Sequence, residues 1–261
     1  MLTVDIARLM SYTNKKLLAP VNSKILLSNI PRHLRATDNT WFAFSKRARV
    51  VAISRDRVKP SELERVEDLT GAKWKGRICT RPGSHVYNRS LLASIINANG
   101  AAEAEKWAKG FVANLARRPQ GNDRAQIKAI HSGECDLGLV NNYYYGKLLN
   151  SKAADQREWA KSVRLVFMNQ NDRGNHVNIS GGGLVKHSKN KKNGIKLLEF
   201  LTGQIAQNLY GEINFEYPVN PAVSLSKDLK TWGVFKEDTV SIEKIAKLAR
   251  ESQKIIDRSG W

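Results

Sequence analysis

Cysteine is scarce in this 261-residue chain: there are two, Cys79 and Cys135, and they form no C-x-x-C pair. A zinc site of the usual spacing is therefore not expected, and the two residues read as either a pair of buried thiols or one disulfide. Long apolar runs are missing as well. No stretch approaches 18 consecutive apolar residues, so none reads as a membrane-spanning helix. The five histidines (His33, His85, His131, His176, His187) are scattered and form no H-E-x-x-H pair. No G-x-S-x-G and no paired-carboxylate constellation is present, so a hydrolase has no support. The triple glycine in "ISGGGLV" (Gly181–Gly183) lacks G-x-G-x-x-G spacing and an acidic partner downstream. Close backbone packing at a strand-to-loop turn is the expected reason for it, rather than a phosphate loop. Acidic side chains are the minority, 24 against 43 Lys and Arg, for a formal net charge of +19. The basic residues are spread along the chain, and the densest cluster, "KHSKNKKNGIK" (186–196), reads as a solvated helix start. No nucleic-acid partner is expected from that distribution.

What is present suits a large core. Hydrophobic residues make up 41% of the chain, enough for one domain or two lobes. Short apolar runs alternate with amphipathic stretches, the pattern of an α/β protein. "RARVVAIS" (47–54) reads as a buried strand. "KPSELERVEDL" (59–69) reads as a helix capped by Ser61 with Glu64 three residues on. "WKGRICTRPG" (74–83) is a strand closed by a Pro-Gly break. Helices are expected over 88–100, 102–119 and 122–133, the last capped by Asp123. "CDLGLVNN" is then a strand, followed by strands at 163–169 and 176–185. A single amphipathic helix is expected over 193–210, and another over 240–260. "MLTVDIARLMSYTNKK" does not read as a signal peptide, because Asp5 and Arg8 interrupt the apolar run and no small-residue cleavage site follows.

The candidate site is "LVNNYYYGKLL" (139–149), where Tyr143, Tyr144 and Tyr145 stand in a row. Tyr87 lies eight residues after Cys79, and Tyr143 eight residues after Cys135. If the two runs are neighbouring parallel strands, both cysteines lie at one level and both tyrosines emerge at the strands' carboxyl ends, where open α/β sheets bind ligands. Three uses of the phenols are open on the residues alone: amphipathic packing with wet hydroxyls, a stacking platform, or a hard-metal site. A phenol has an ordinary pKa near 10, so only a strong Lewis acid such as ferric iron displaces its proton at neutral pH. Three phenolates cancel a trivalent charge. Any further anionic ligand calls for nearby cations, and Arg47, Arg81 and Lys147 are the candidates.

Several stretches together decide between these readings. "CTRPGSHVYNRSLLASII", "NLARRPQGNDRAQIKAIHSGECDLGLVNNYYYGKLL", "GNHVNISGGGLVKHSKN", "EYPVNPAV" and the closing "DRSGW" resemble the ferric-iron-binding substrate-binding proteins of bacterial ABC transporters. The tyrosine-rich cyanobacterial and marine branch is the most similar. The resemblance runs from about residue 1 to the last residue. It implies a two-lobe α/β periplasmic-binding-protein fold, type II-like, with hinge strands and an Fe³⁺ site in an interlobe cleft. Its tyrosine in the Y-N-x-S-L motif falls on Tyr87, and its paired tyrosines after the V-N strand fall on Tyr143 and Tyr144. These three are the implied direct ligands.

Tyr145, where the family varies, is expected to be a neighbour or packing residue. Arg47, in the family's W-x-x-x-S-x-R-A-R-V segment, and Lys147, where relatives often carry Arg, are expected beside the site. His85, two before Tyr87, is the one histidine expected near the metal. The resemblance also implies a periplasmic monomer that is a binder and not an enzyme, delivering Fe³⁺ to an ABC transporter permease with a small companion anion as a further partner. Cys79 and Cys135 fit a disulfide in that compartment. A carrier of an oxyanion or organic anion on the same scaffold is the alternative.

The expected lobes are 1–46 and 170–220 for the first, and 47–169 and 221–261 for the second, with crossovers at 47–54, around 169–178 and at 216–223. Against the family pattern, the chain opens near the second strand region, so it is expected to be N-terminally truncated, without the signal peptide and the first βα unit, which carries a further ligand.

Overall fold

The computed structural model describes residues 2–3 and 6–261. Asp5 and the side chain of Arg8, which the reading of the opening stretch used, lie outside what is described. In chain order the first elements are β1 (Leu2–Thr3), α1 (Ile6–Asn14), β2 (Leu18–Ala19), α2 (Lys24–Asn29), β3 (Phe42–Ser54), β4 (Ile78–Cys79), α3 (Val86–Asn99) and α4 (Ala101–Ala113). There follow α5 (Asp123–His131), β5 (Leu137–Asn141), α6 (Asn142–Leu149), α7 (Ala154–Lys161), β6 (Val163–Val166), β7 (Val177–Gly182) and β8 (Leu184–Val185). The last are α8 (Lys191–Thr202), α9 (Gln204–Ile213), β9 (Tyr217–Pro218), α10 (Lys227–Thr231), α11 (Ile242–Lys247) and α12 (Ala249–Ser259).

The chain divides into two compact units. Unit 1 holds 1–47, 178–233 and 239–246; unit 2 holds 48–177, 234–238 and 247–261. The passage between Arg47 and Ala48 lies in the first expected crossover, and that between Val177 and Asn178 in the second. The third expected crossover, 216–223, lies wholly within unit 1, and the later passages fall at 233/234, 238/239 and 246/247. Residues 170–177 and most of 221–246 therefore group differently from the expected division.

Unit 1 has its own core, in which Trp41, Phe42, Phe44, Leu26, Leu34 and Ile179 are fully buried. The start of β3 pairs antiparallel with β9, with Ser45 opposite Pro218. Here Gly181 and Gly183 do what was expected of them: a Cβ on either would collide with the carbonyl oxygens of Phe42 and Thr40. Gly203 adopts an extended conformation between α8 and α9, so the single helix expected over 193–210 is two.

Unit 2 is built on the second half of β3, buried along its length because it is Val, Ala and Ile from residue 50 to 53. It is flanked by β5 and β6, both antiparallel, with Val50 opposite Val140 and Ala52 opposite Leu165. β4 lies parallel to β5, Cys79 opposite Gly138. Glycine is required there, since a Cβ at 138 would lie 2.8 Å from the Cys79 carbonyl oxygen. The core adds Trp74, Leu92, Ile95, Phe111 and Ile255, with Trp107, Phe111 and Trp261 packed ring on ring. Two local expectations are corrected. Residues 60–62 and 66–70 form separate 3₁₀ turns, capped by Glu62 and Asp68 rather than through Ser61 and Glu64. The helix at 123–131 is capped by Asn122, which accepts from the Ala125 N–H at 3.2 Å, and not by Asp123.

Candidate metal centre

The tyrosines stand on helix N-termini in unit 2. α3 starts at Val86 directly after the Pro82–Gly83 break, with His85 as its cap. Tyr87 is therefore the second helical residue. α6 starts at Asn142 as β5 ends, with Asn141 as its cap, so Tyr143 and Tyr144 are its second and third residues. This puts all three phenols where the helix dipole favours negative charge. The parallel pairing of β4 and β5 brings the two helix starts together, as the equal spacing suggested. The cysteines are not level, however: Cys79 stands opposite Gly138, three residues beyond Cys135. They are nonetheless joined as a disulfide, with Cα atoms 5.9 Å apart.

The Tyr87 and Tyr143 hydroxyl oxygens are 2.9 Å apart. The Tyr143 and Tyr144 rings lie 4.4 Å apart at 32°. Tyr143 is buried; Tyr87 and Tyr144 are half-buried. Burial, then the neighbouring Tyr87 phenol and contact with the Tyr144 hydroxyl, hold the Tyr143 phenol far above its ordinary value. In the metal-free protein it is a neutral phenol at physiological pH. Tyr145, next along α6, is buried.

Cations surround the phenols. The Arg81 guanidinium carbon lies 5.0 Å from the Tyr87 ring centroid and that of Arg49 5.9 Å. Arg124 lies 5.1 Å from the Tyr144 ring, and the Lys147 ammonium 5.5 Å from the Tyr143 ring. Asp123 answers two of them: it accepts from Arg49 at 2.7 Å and from Arg81 at 3.0 Å, and it is fully buried. His85 packs edge-on against the Tyr87 ring, 4.4 Å away, and its Nδ1 accepts from the Tyr87 backbone N–H. Burial, then Arg81, lowers the His85 pKa to about 4, so the ring is neutral at physiological pH.

Of the residues singled out in the sequence, Tyr87, Tyr143, Tyr144, His85, Arg81 and Lys147 come together. Arg47 belongs to unit 1, where it donates to the Ile179 carbonyl at 2.5 Å and lies 3.6 Å from Glu216. Arg49, two residues on, is the strand arginine that reaches the tyrosines. It went unnoticed, although a charge in the middle of an apolar strand is itself a signal. Arg124 and the inward role of Asp123 were also missed. Among the described residues, no three His, Cys, Asp or Glu side chains are placed to hold a metal. The clustered phenol oxygens are a donor type that suits a hard, highly charged cation.

Comparison with known proteins identifies the family. The family of bacterial extracellular solute-binding proteins matches residues 3–236. Iron uptake protein A1 of Synechocystis is 46% identical over all of this chain and 72% of that protein. The major ferric iron-binding protein of Neisseria meningitidis serogroup B is 28% identical over 86% of this chain and 66% of its own length. Among solved structures, the Trichodesmium IdiA/FutA protein in complex with iron and citrate superposes with a TM-score of 0.97 at 46% identity. It covers all of this chain, which spans 82% of it. The chain belongs to the bacterial extracellular solute-binding protein family and has the fold of its periplasmic iron-binding members.

Proposed function

We propose that this family member binds Fe³⁺ through the phenolates of Tyr87, Tyr143 and Tyr144 and carries it, in the periplasm, to the permease of an ABC importer. One observation carries the reading: two phenol oxygens from different helices meet at 2.9 Å, with a third phenol ring 4.4 Å from the Tyr143 ring. Two phenolates at that distance repel each other strongly, so both ionise together only with a cation bound to them. A trivalent hard cation supplies the necessary field; a softer divalent ion gains less from anionic oxygen donors. The relatives named above are iron-uptake and ferric-iron-binding proteins, which favours iron over the oxyanion or organic-anion alternative.

The protein's own groups do three things. The N-termini of α3 and α6 and the cations Arg49, Arg81, Arg124 and Lys147 stabilise negative charge on the phenol oxygens. That surplus of positive charge also gives a small companion anion a place beside the metal. The raised phenol pKa makes proton uptake the route to release, and reduction to Fe²⁺ weakens the same donors. A competition titration against citrate, at neutral and mildly acidic pH, tests the reading. Ferric ion is expected to be held at neutral pH and surrendered on acidification. Affinity that is independent of pH would rule out phenolate ligation.

A further inference from the structure

We propose that Asp123 is a positioning residue: its buried carboxylate fixes the starts of α3 and α6 so that the Tyr87 and Tyr143 hydroxyls converge, a role that serves the ferric site proposed above. Asp123 is the first residue of α5 and is wholly inaccessible. One carboxylate oxygen accepts from Arg49 at 2.7 Å and from the Asn141 backbone N–H at 2.7 Å. The other accepts from Arg81 at 3.0 Å. Each partner leads to a tyrosine. Asn141 caps α6, two residues before Tyr143. Arg81 leads into the turn before α3 and lies against the Tyr87 ring. Arg49 continues to the Asn88 side-chain oxygen at 2.6 Å, and Asn88 follows Tyr87. The Asn88 amide in turn donates to the Arg81 and Pro82 carbonyls at 3.0 and 3.2 Å, closing the turn.

Stability alone is a poor reason for such a cluster. Each ion buried away from water costs several kcal/mol, and apolar side chains of equal volume often do as well. What a buried carboxylate with three fixed donors does provide is geometry. Unit 2 contains its own contrast. Asp136 also accepts from two arginines, Arg57 at 2.5 Å and Arg77 at 2.6 Å. It precedes β5, at the opposite end of the strand from the tyrosines, and its side chain is 16% exposed. The same motif thus appears once partly exposed, away from the phenols, and once fully buried between them.

The test compares Asp123→Asn with Asp136→Asn in two readouts. In metal-free protein labelled at tyrosine Cζ with carbon-13, Tyr87→Phe is expected to shift the Tyr143 resonance, because the two hydroxyls touch. That response should vanish in the Asp123→Asn background and survive in Asp136→Asn. With ferric citrate, Asp123→Asn should lose affinity by about 10- to 100-fold, the range typical of groups that orient metal ligands. Its visible phenolate-to-iron band should also shift, while Asp136→Asn matches the parent. A folded Asp123→Asn protein with the parent's carbon-13 response and affinity would overturn the proposal. If Asp123→Asn does not fold, Arg81→Gln takes its place with the same, smaller changes expected, and their absence would be equally decisive. Loss of the carbon-13 response in a protein whose parent shows no iron band would sink the ferric reading and leave the positioning role standing.

Discussion

At the scale of single residues, the phenol protons decide the behaviour of the site. Tyr143 is held above its ordinary pKa by burial and by two neighbouring phenols, so it enters metal binding protonated. Each of the three phenols that becomes a phenolate releases one proton. Apparent ferric affinity therefore rises with pH and falls as pH falls, by up to about a thousandfold per pH unit if three protons leave together. A pH series against a competitor of known protonation measures that slope. A slope near one proton would mean that a single tyrosine ligates. His85 adds no titration of its own near neutrality, because burial and Arg81 keep it neutral down to about pH 4. Tyr87, Tyr143 and Tyr144 were singled out through the family resemblance, on the Y-N-x-S-L motif and the paired tyrosines after the V-N strand; the phenol run and the eight-residue spacing alone left packing, stacking and metal binding open. The roles of Asp123 and Arg49 were not legible. Their meaning lies in each other, 74 positions apart, and no local pattern encodes such a pair.

At the scale of elements, the site depends on two strands feeding two helices. β4 is two residues long, so its hold on β5 rests on little backbone pairing. The Cys79–Cys135 disulfide, closing a separation of 56 residues, ties the two runs together below the tyrosines. Replacing both cysteines by serine is expected to lower stability by about 4 kcal/mol on the chain-entropy account, measured by denaturant unfolding of oxidised wild type and variant. An unchanged midpoint would mean that the bridge constrains nothing. Element boundaries were read less well than element types. The amphipathic period runs unbroken through Gly203, so two helices looked like one. The spacing of Ser61 and Glu64 imitates a capping box, while the turns that form use Glu62 and Asp68: one 3₁₀ turn starts two residues before the helix start expected after Ser61, and the other four residues after it.

At the scale of the whole molecule, the chain sustains two cores, one in each unit, and its basic residues are spread along the sequence rather than gathered into one run. The long-range passages of the chain were only partly legible. The strand at 47–54 announces itself by its apolar run, whereas the short excursions at 234–238 and 239–246 have no sequence signature. Acid should loosen unit 2 independently of any metal. His176 is buried against the Ser90 hydroxyl at 3.0 Å, and burial, then Arg49 and Arg173, lowers its pKa to about 3. The unfolded chain binds a proton there below about pH 6.5 and the folded protein does not, so stability is full above that value and is lost as pH falls toward 3. The loss should reach on the order of 2 kcal/mol midway through that window. Urea unfolding across the range, with His176→Gln as the flat comparison, measures it. A His176→Gln protein with the same acid sensitivity would place the titrating group elsewhere.

The central claim is phenolate ligation of ferric iron. The most direct measurement is the visible absorbance spectrum on adding ferric citrate to wild type, Tyr143→Phe and Tyr145→Phe. The predicted result is a broad phenolate-to-iron charge-transfer band in wild type, unchanged in Tyr145→Phe and weakened or shifted in Tyr143→Phe. A folded wild-type protein that binds iron without that band, or a Tyr143→Phe protein that keeps it intact, would contradict the account.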